Sequence, residues 1–263
     1  MYVPRSYDPT KPTPLVISLH AAALWPAAQM ETSQWNRVAD EHGFIVVYPS
    51  GTTMRGDGTG VLPKIWLLKP EAVLEANVRF ISELIDTLEA AYNIDLTRIY
   101  ANGFSNGGAM AFALSCRLSH RMAAVGTVSA AQDQQPWSFC ADSRPVPFIN
   151  FHGTADLVPY DGGRVWASPS PFPSVSTWTA NWARRNRCAP NPIESVVEAD
   201  VTRLEYTNCA NDAAVVLYTI QGGGHTWPGG KPMPEWMLGR TSRSIDASSQ
   251  MWAFFRDHRL VSK

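Results

Sequence analysis

Apolar residues recur along this chain in two alternating styles. Short, nearly continuous runs stand at residues 15–19, 44–48, 123–129 and 147–151, each rich in β-branched or aromatic side chains. Runs of that kind predict strands buried on both faces. Two more, at residues 201–206 and 214–220, read the same way. Between the runs the spacing changes to three and four. Val78, Ile81, Ile85, Leu88 and Tyr92 form a helical stripe, and so do Met110, Leu114 and Leu118. Helices are also predicted over residues 31–41, with Trp35, Val38 and Ala39 inward and Gly43 as the stop, and over residues 175–187 and 245–255. Gly-rich residues 51–60 and Pro-rich residues 169–173 read as loops. Strands alternating with helices predict an α/β fold, with a mostly parallel central sheet flanked by helices on both faces. Sites in such sheets lie beyond the carboxyl ends of the strands.

One of these strand ends carries a distinctive turn. Ile99-Tyr100-Ala101 leads into Gly103-Phe104-Ser105-Asn106-Gly107, and small residues follow at once. Strand, tight Gly-x-Ser-x-Gly turn and helix together describe a nucleophile elbow, which lifts a serine hydroxyl clear of the sheet. The same turn aims the unpaired N–H groups of a helix N-terminus at that point. A hydroxyl beside an anion site suits acyl transfer.

Serine is a weak nucleophile at neutral pH and needs a histidine to take its proton. Of the six histidines, His42, His120 and His258 fall on or beside predicted helices. His20, His152 and His225 follow strands. In the α/β-hydrolase arrangement the order along the chain is Ser, then Asp or Glu, then His. His225, in Gly222-Gly223-Gly224-His225-Thr226-Trp227, is therefore the expected base. Asp156, a few residues beyond Phe151, is the expected partner of that base; Asp161 is the alternative, though Gly162 and Gly163 beside it favour a turn. Asp200 and Asp212 precede strands and are expected at the opposite edge. His152 reads as a structural loop histidine. The oxyanion is expected to be held by the backbone N–H of Asn106 and by that of Ala21 or Ala22, in the loop opening at His20. His20 and Trp227 are candidate substrate contacts, and a loop anchor is the other reading of Trp227.

Composition narrows the partners. The chain has 263 residues, a formal net charge of -1, 45% hydrophobic and 17% charged residues. That supplies a sizeable core without a basic stripe, so nucleic acid is not an expected partner. No run approaches the roughly 20 apolar residues of a membrane span, and no apolar leader is recognisable at the amino end. Neither C-x-x-C nor H-E-x-x-H occurs, so no metal is expected. Cys116, Cys140, Cys188 and Cys209 permit three pairings. The local ones, Cys116–Cys140 and Cys188–Cys209, are favoured over the others, and four free thiols are the alternative.

With these residues in place, the chain resembles the polyhydroxybutyrate depolymerase and feruloyl/acetylxylan esterase family of α/β-hydrolases. The likeness runs through Tyr2-Val3-Pro4, Gly43 to Pro49, Gly103 to Gly108, Phe151 to Asp156 with Val158-Pro159-Tyr160, and Gly222 to Gly230 with Thr241-Ser242-Arg243. It implies one catalytic domain over residues 1–263 and a secreted serine esterase with Ser105, Asp156 and His225 as its triad. It implies no cofactor, a feruloyl or acetyl ester of polysaccharide or a hydroxyalkanoate polyester as substrate, and paired cysteines at Cys188 and Cys209. Three departures stand out. His20-Ala21-Ala22 replaces the family's His-Gly-Gly or His-Gly-Cys, Ala76-Asn77 replaces Asp-Asp near an altered Trp66-Leu67-Leu68, and the N-terminal antiparallel strands are expected to be truncated. The two alanines motivate a second reading, a catalytically impaired polysaccharide- or polyester-binding protein.

Overall fold

The computed structural model describes residues 1–53, 63–130, 140, 143–164 and 171–260. In chain order, β1 (Thr13–Leu19) is followed by α1 (Pro26–Ser33), α2 (Trp35–His42) and β2 (Ile45–Val47). A two-stranded ribbon, β3 (Thr52–Thr53) and β4 (Lys64–Ile65), precedes α3 (Glu71–Ala91), β5 (Ile94–Phe104) and α4 (Asn106–Arg117). Next come β6 (Ala124–Val128), β7 (Phe148–Gly153) and α5 (Val175–Arg185), then β8 (Ile193–Glu198), β9 (Val201–Tyr206) and β10 (Val215–Ile220). The short α6 (Glu235–Leu238) and α7 (Ala247–Arg256) close the fold.

Eight strands form one sheet in the order β2-β1-β5-β6-β7-β10-β9-β8. From β2 to β10 the neighbours are parallel, whereas β9 and β8 pair antiparallel at one edge. The near-continuous apolar run of β1 is explained by its two faces. Leu15, Ile17 and Leu19 pack with Ile81, Ile85, Met110 and Trp178 on one side of the sheet. Val16 packs on the other with Trp35, Phe44, Trp252 and Phe255. A sheet clothed by helices on both faces leaves its strand ends as the place for chemistry.

The predicted helix over residues 31–41 is in fact two, because Gln34 takes φ 55° and breaks the ladder between α1 and α2. Strand β8 carried no periodic signal, since every residue of it is exposed. Of the two predicted loops, residues 54–60 and 169–170 lie outside the described residues; Thr52–Thr53 pairs with β4, and Phe172 makes an isolated antiparallel bridge with Gly163. At the amino end, Tyr2 makes one antiparallel bridge with Val46. Both favoured disulfides are present: Cys116–Cys140 and Cys188–Cys209 close separations of 24 and 21 residues. Loops of that size gain on the order of 3 kcal/mol each from the cross-link.

Candidate active site

The elbow is set by steric necessity. Ser105 sits at φ 52° and ψ −119°, and its N–H is pinned to the Val128 carbonyl at 2.8 Å. A Cβ on Gly103 would lie 2.3 Å from the Gly107 carbonyl carbon, and one on Gly107 would lie 2.3 Å from the Leu19 oxygen. Glycine at both places therefore lets strand, helix and the end of β1 converge. The same approach brings the start of α4 against the Leu19 and His20 carbonyls, so the loop after β1 flanks the serine. Among the described residues, neither the Asn106 nor the Ala22 N–H has an acceptor. The Asn106 side chain is otherwise occupied. It accepts from the Trp66 N–H at 2.8 Å and donates to the Trp66 carbonyl at 2.9 Å, holding the Trp66-Leu67-Leu68 segment beside the elbow. Asn77, one of the family departures, in turn donates to the Leu67 carbonyl at 2.8 Å.

The loops after β7 and β10 meet face to face. A Cβ on Gly153 would lie 2.1 Å from the Gly223 oxygen, and Ala155 donates to that oxygen at 2.9 Å. This contact carries Asp156 to His225, 69 residues away, where Nδ1 and Oδ1 are 2.7 Å apart. The Val158 N–H donates to the same Oδ1 at 2.7 Å. Burial alone would push the Asp156 carboxyl up, but the hydrogen bond and positive charge of His225, with His152 behind it, bring it below the ordinary carboxylate value. The ionised carboxylate can only accept, so Nδ1 of His225 carries the proton and Nε2 is left as a base. The His225 ring lies 5.1 Å, centroid to centroid, from that of Phe104, the residue before the serine. The Ser105 hydroxyl has no hydrogen bond among the described residues, and a nucleophile's bond to its base commonly tightens only in the substrate complex.

A row of buried hydrogen bonds underlies the three loops. Asn102, in β5, accepts from the Ser18 hydroxyl at 2.9 Å and from the Trp35 indole at 3.1 Å. Gln29 donates to Ser18 at 3.0 Å, and Ser33 donates to the Gln29 carbonyl at 2.7 Å. Ser248 donates to the Ser33 carbonyl at 2.6 Å and accepts from the Trp227 indole at 3.1 Å. Every side chain in the row is buried. A buried donor or acceptor left unpaired costs about 1–3 kcal/mol, so the row fixes the nucleophile strand, the strand feeding the Ala22 loop and the loop of His225 relative to one another. Sequence reasoning missed it, because polar side chains such as Gln29 and Ser33 look solvent-facing until their distant neighbours are known.

Three expectations are corrected. His20 is fully buried; Gly51 N–H donates to its Nε2 at 3.0 Å and its Nδ1 donates to the Ala21 carbonyl at 2.8 Å. Both ring nitrogens are spent on backbone, so His20 braces the loop and does not meet substrate. Trp227 is also fully buried with its indole on Ser248, and is the loop anchor. Asp200 lies at the same sheet edge as the site, because β9 runs antiparallel and opens opposite Ile220; it pairs with Arg240 at 2.9 Å and is not free for His225. Other readings hold. His152 is buried with Nε2 on the Val158 carbonyl at 2.9 Å, and Gly162 donates to the Pro159 carbonyl at 3.0 Å in a turn around Asp161. The loop with Ala21 and Ala22 needs no glycine there, since its one left-handed residue is Ala23 at φ 61°. The motive for an impaired site is thereby removed.

Two buried imidazoles set an acid limit on stability. Burial pushes His20 and His152 below the ordinary histidine value, so the unfolded chain binds protons there before the folded one does. Their contribution is fully present above the unfolded value of about 6.5 and is lost as pH falls from there through the folded values. Each removes up to about 1.4 kcal/mol per pH unit over that window. Urea unfolding at pH 7.0, 6.0 and 5.0 should show falling stability; a flat profile would contradict neutral buried histidines.

Comparison with known proteins follows the same line. A family model described as esterase PHB depolymerase matches residues 1–138, just over half of the chain. Feruloyl esterase B of Piromyces equi is 31% identical over 235 residues, 87% of this chain and 42% of that relative. Putative esterase NocK of Nocardia uniformis subsp. tsuyamanensis is 30% identical over 253 residues, 89% of this chain and 72% of that relative. The chain thus spans less than half of the first relative's length and nearly three quarters of the second's. Among solved structures, acetyl xylan esterase from Aspergillus awamori superposes with a TM-score of 0.66 over 96% of this chain and 92% of that one, at 16% identity, a likeness of fold.

Proposed function

Because the chain belongs to the esterase PHB depolymerase family, we propose that it is a serine carboxylic-ester hydrolase acting on feruloyl or acetyl esters carried by polysaccharide. The observation that carries this reading is the 2.7 Å bond from His225 to a buried Asp156, formed beside the elbow of Ser105. In the proposed reaction, Ser105 Oγ attacks the ester carbonyl while His225 Nε2 takes its proton. The Asn106 and Ala22 N–H groups receive the negative charge on the carbonyl oxygen. Collapse breaks the bond to the alcohol, which leaves with the proton held by His225. Water, deprotonated by the same imidazole, then attacks the acyl-enzyme and releases the acid and the free serine. Asp156 holds the tautomer throughout.

The choice of polysaccharide esters over polyester is supported by the feruloyl esterase relative, whereas the family model's description keeps hydroxyalkanoates as the comparison. Initial rates on methyl ferulate, acetylated xylan and a hydroxybutyrate oligomer, measured side by side, test it. Faster turnover of the two plant-type esters is expected, and a preference for the oligomer would overturn the substrate assignment. All four cysteines are paired, which favours an oxidising compartment and supports export of the protein.

A further inference from the structure

Of the large apolar side chains exposed among the described residues, three stand on the two loops that bear Asp156 and His225, and one of them, Trp236, is the most exposed of all. Leu157, 58% exposed, follows Asp156 directly. Trp236 and Met237, 87% and 48% exposed, lie on α6. That short helix is bound to the loop of the base: His225 N–H donates to the Leu238 carbonyl at 2.6 Å and Gly224 N–H to the Arg240 carbonyl at 2.9 Å. A Cβ on Gly224 would lie 2.2 Å from the Leu238 oxygen, so the two backbones are in close contact. Pro234 begins the helix and Gly239, at φ 81°, ends it. The indole of Trp236 is thus presented on a stiff support fixed to the base, although the core makes no use of it. Leaving a large aromatic in water forgoes about 1.5–3 kcal/mol of burial, and an indole held this far out on the loop of His225 is placed to meet a ligand.

We propose that Trp236, with Met237 and Leu157, is a stacking platform for the polysaccharide chain whose ester enters the site. This rests on the esterase reading above. A flat indole matches the apolar face of a pyranose ring, whose C–H groups meet the negative π face while the sugar hydroxyls stay in water. Charged residues flank it along the chain: Glu235 is exposed beside Trp236, Lys231 precedes it in a pair with Glu31, and Arg240 follows it in a pair with Asp200. An alternation of one aromatic with charged groups suits a hydrated polymer, whereas a solid polyester calls for an unbroken apolar surface.

The test compares Trp236→Ala and Trp236→Phe with the wild type by affinity electrophoresis in gels containing soluble xylan, and by KM on acetylated xylan. Trp236→Ala should lose the xylan-dependent retardation and raise KM about tenfold with kcat held, while p-nitrophenyl acetate hydrolysis stays within about twofold. Trp236→Phe should recover part of both. Retardation unchanged in Trp236→Ala, or an equal loss on the small ester, overturns the platform. So does a loss confined to a hydroxybutyrate oligomer. Failure of the wild type to hydrolyse p-nitrophenyl acetate would strike the esterase reading instead, and the gel retardation still reads the platform.

Discussion

Replacing Ser105 by alanine should lower kcat on p-nitrophenyl acetate by about 10⁴–10⁶. The reason is geometric. This hydroxyl stands at the apex where strand β5 turns into α4, next to the Asn106 N–H, and the ring of His225 packs on that of the preceding Phe104. Folding should be nearly untouched, because the Ser105 side chain makes no hydrogen bond among the described residues and its backbone bonds, to Val128 and Ala109, survive the change. Thermal unfolding of the variant should therefore match the wild type to within about 1 kcal/mol, the usual scale for a change that removes no packing or partner. A serine-directed phosphonate should label residue 105 in the wild type and nothing in the variant. Unchanged turnover in Ser105→Ala, or a label elsewhere, would end its assignment as nucleophile.

Removing the carboxylate behind the base should cost nearly as much. Asp156→Ala takes away the acceptor of His225 Nδ1–H and of Val158 N–H together. The imidazole then loses its tautomer, its orientation and the charge that stabilises imidazolium, and kcat should fall by about 10⁴. Asp156→Asn separates these effects in a way this structure makes specific. The Val158 N–H requires an oxygen at the Oδ1 position, so the amide should be held with its carbonyl facing His225 and the correct tautomer kept. Its loss should then be at least about tenfold smaller than that of alanine, reflecting the missing charge alone. Equal losses in the two variants would refute orientation by Val158. Asp161→Ala should leave the rate unchanged; a large loss there with Asp156→Ala active would transfer the role to Asp161.

Much of this site was legible because its signals are local. Gly103 and Gly107 flank a serine for a reason that involves only a few residues and the β1 backbone, and the apolar period of two or of three to four reports which faces an element buries. Chain order then singled out Asp156 and His225. Local signals misled where exposure depends on distant partners. Trp227 next to the base reads as a substrate contact until Ser248, on the last helix, is seen to take its indole. His20 reads as a site residue until the Gly51 N–H and its own loop consume both nitrogens. Asp200 was misplaced because strand direction is set by pairing with β10, which its own neighbours in sequence do not encode.

By itself, the order of residues determined the alternating strand-and-helix plan, the elbow at Ser105 and which Asp and His could serve it, since each follows from short-range sterics, periodicity and chain order. Tertiary structure alone decided that Asp156 meets His225 across 69 residues, that Trp227 and His20 are hidden and that Trp236 is not. The physical difference is that turn geometry is settled by bonded neighbours, whereas burial and hydrogen-bond partnership are settled by whichever distant surface packs against a side chain.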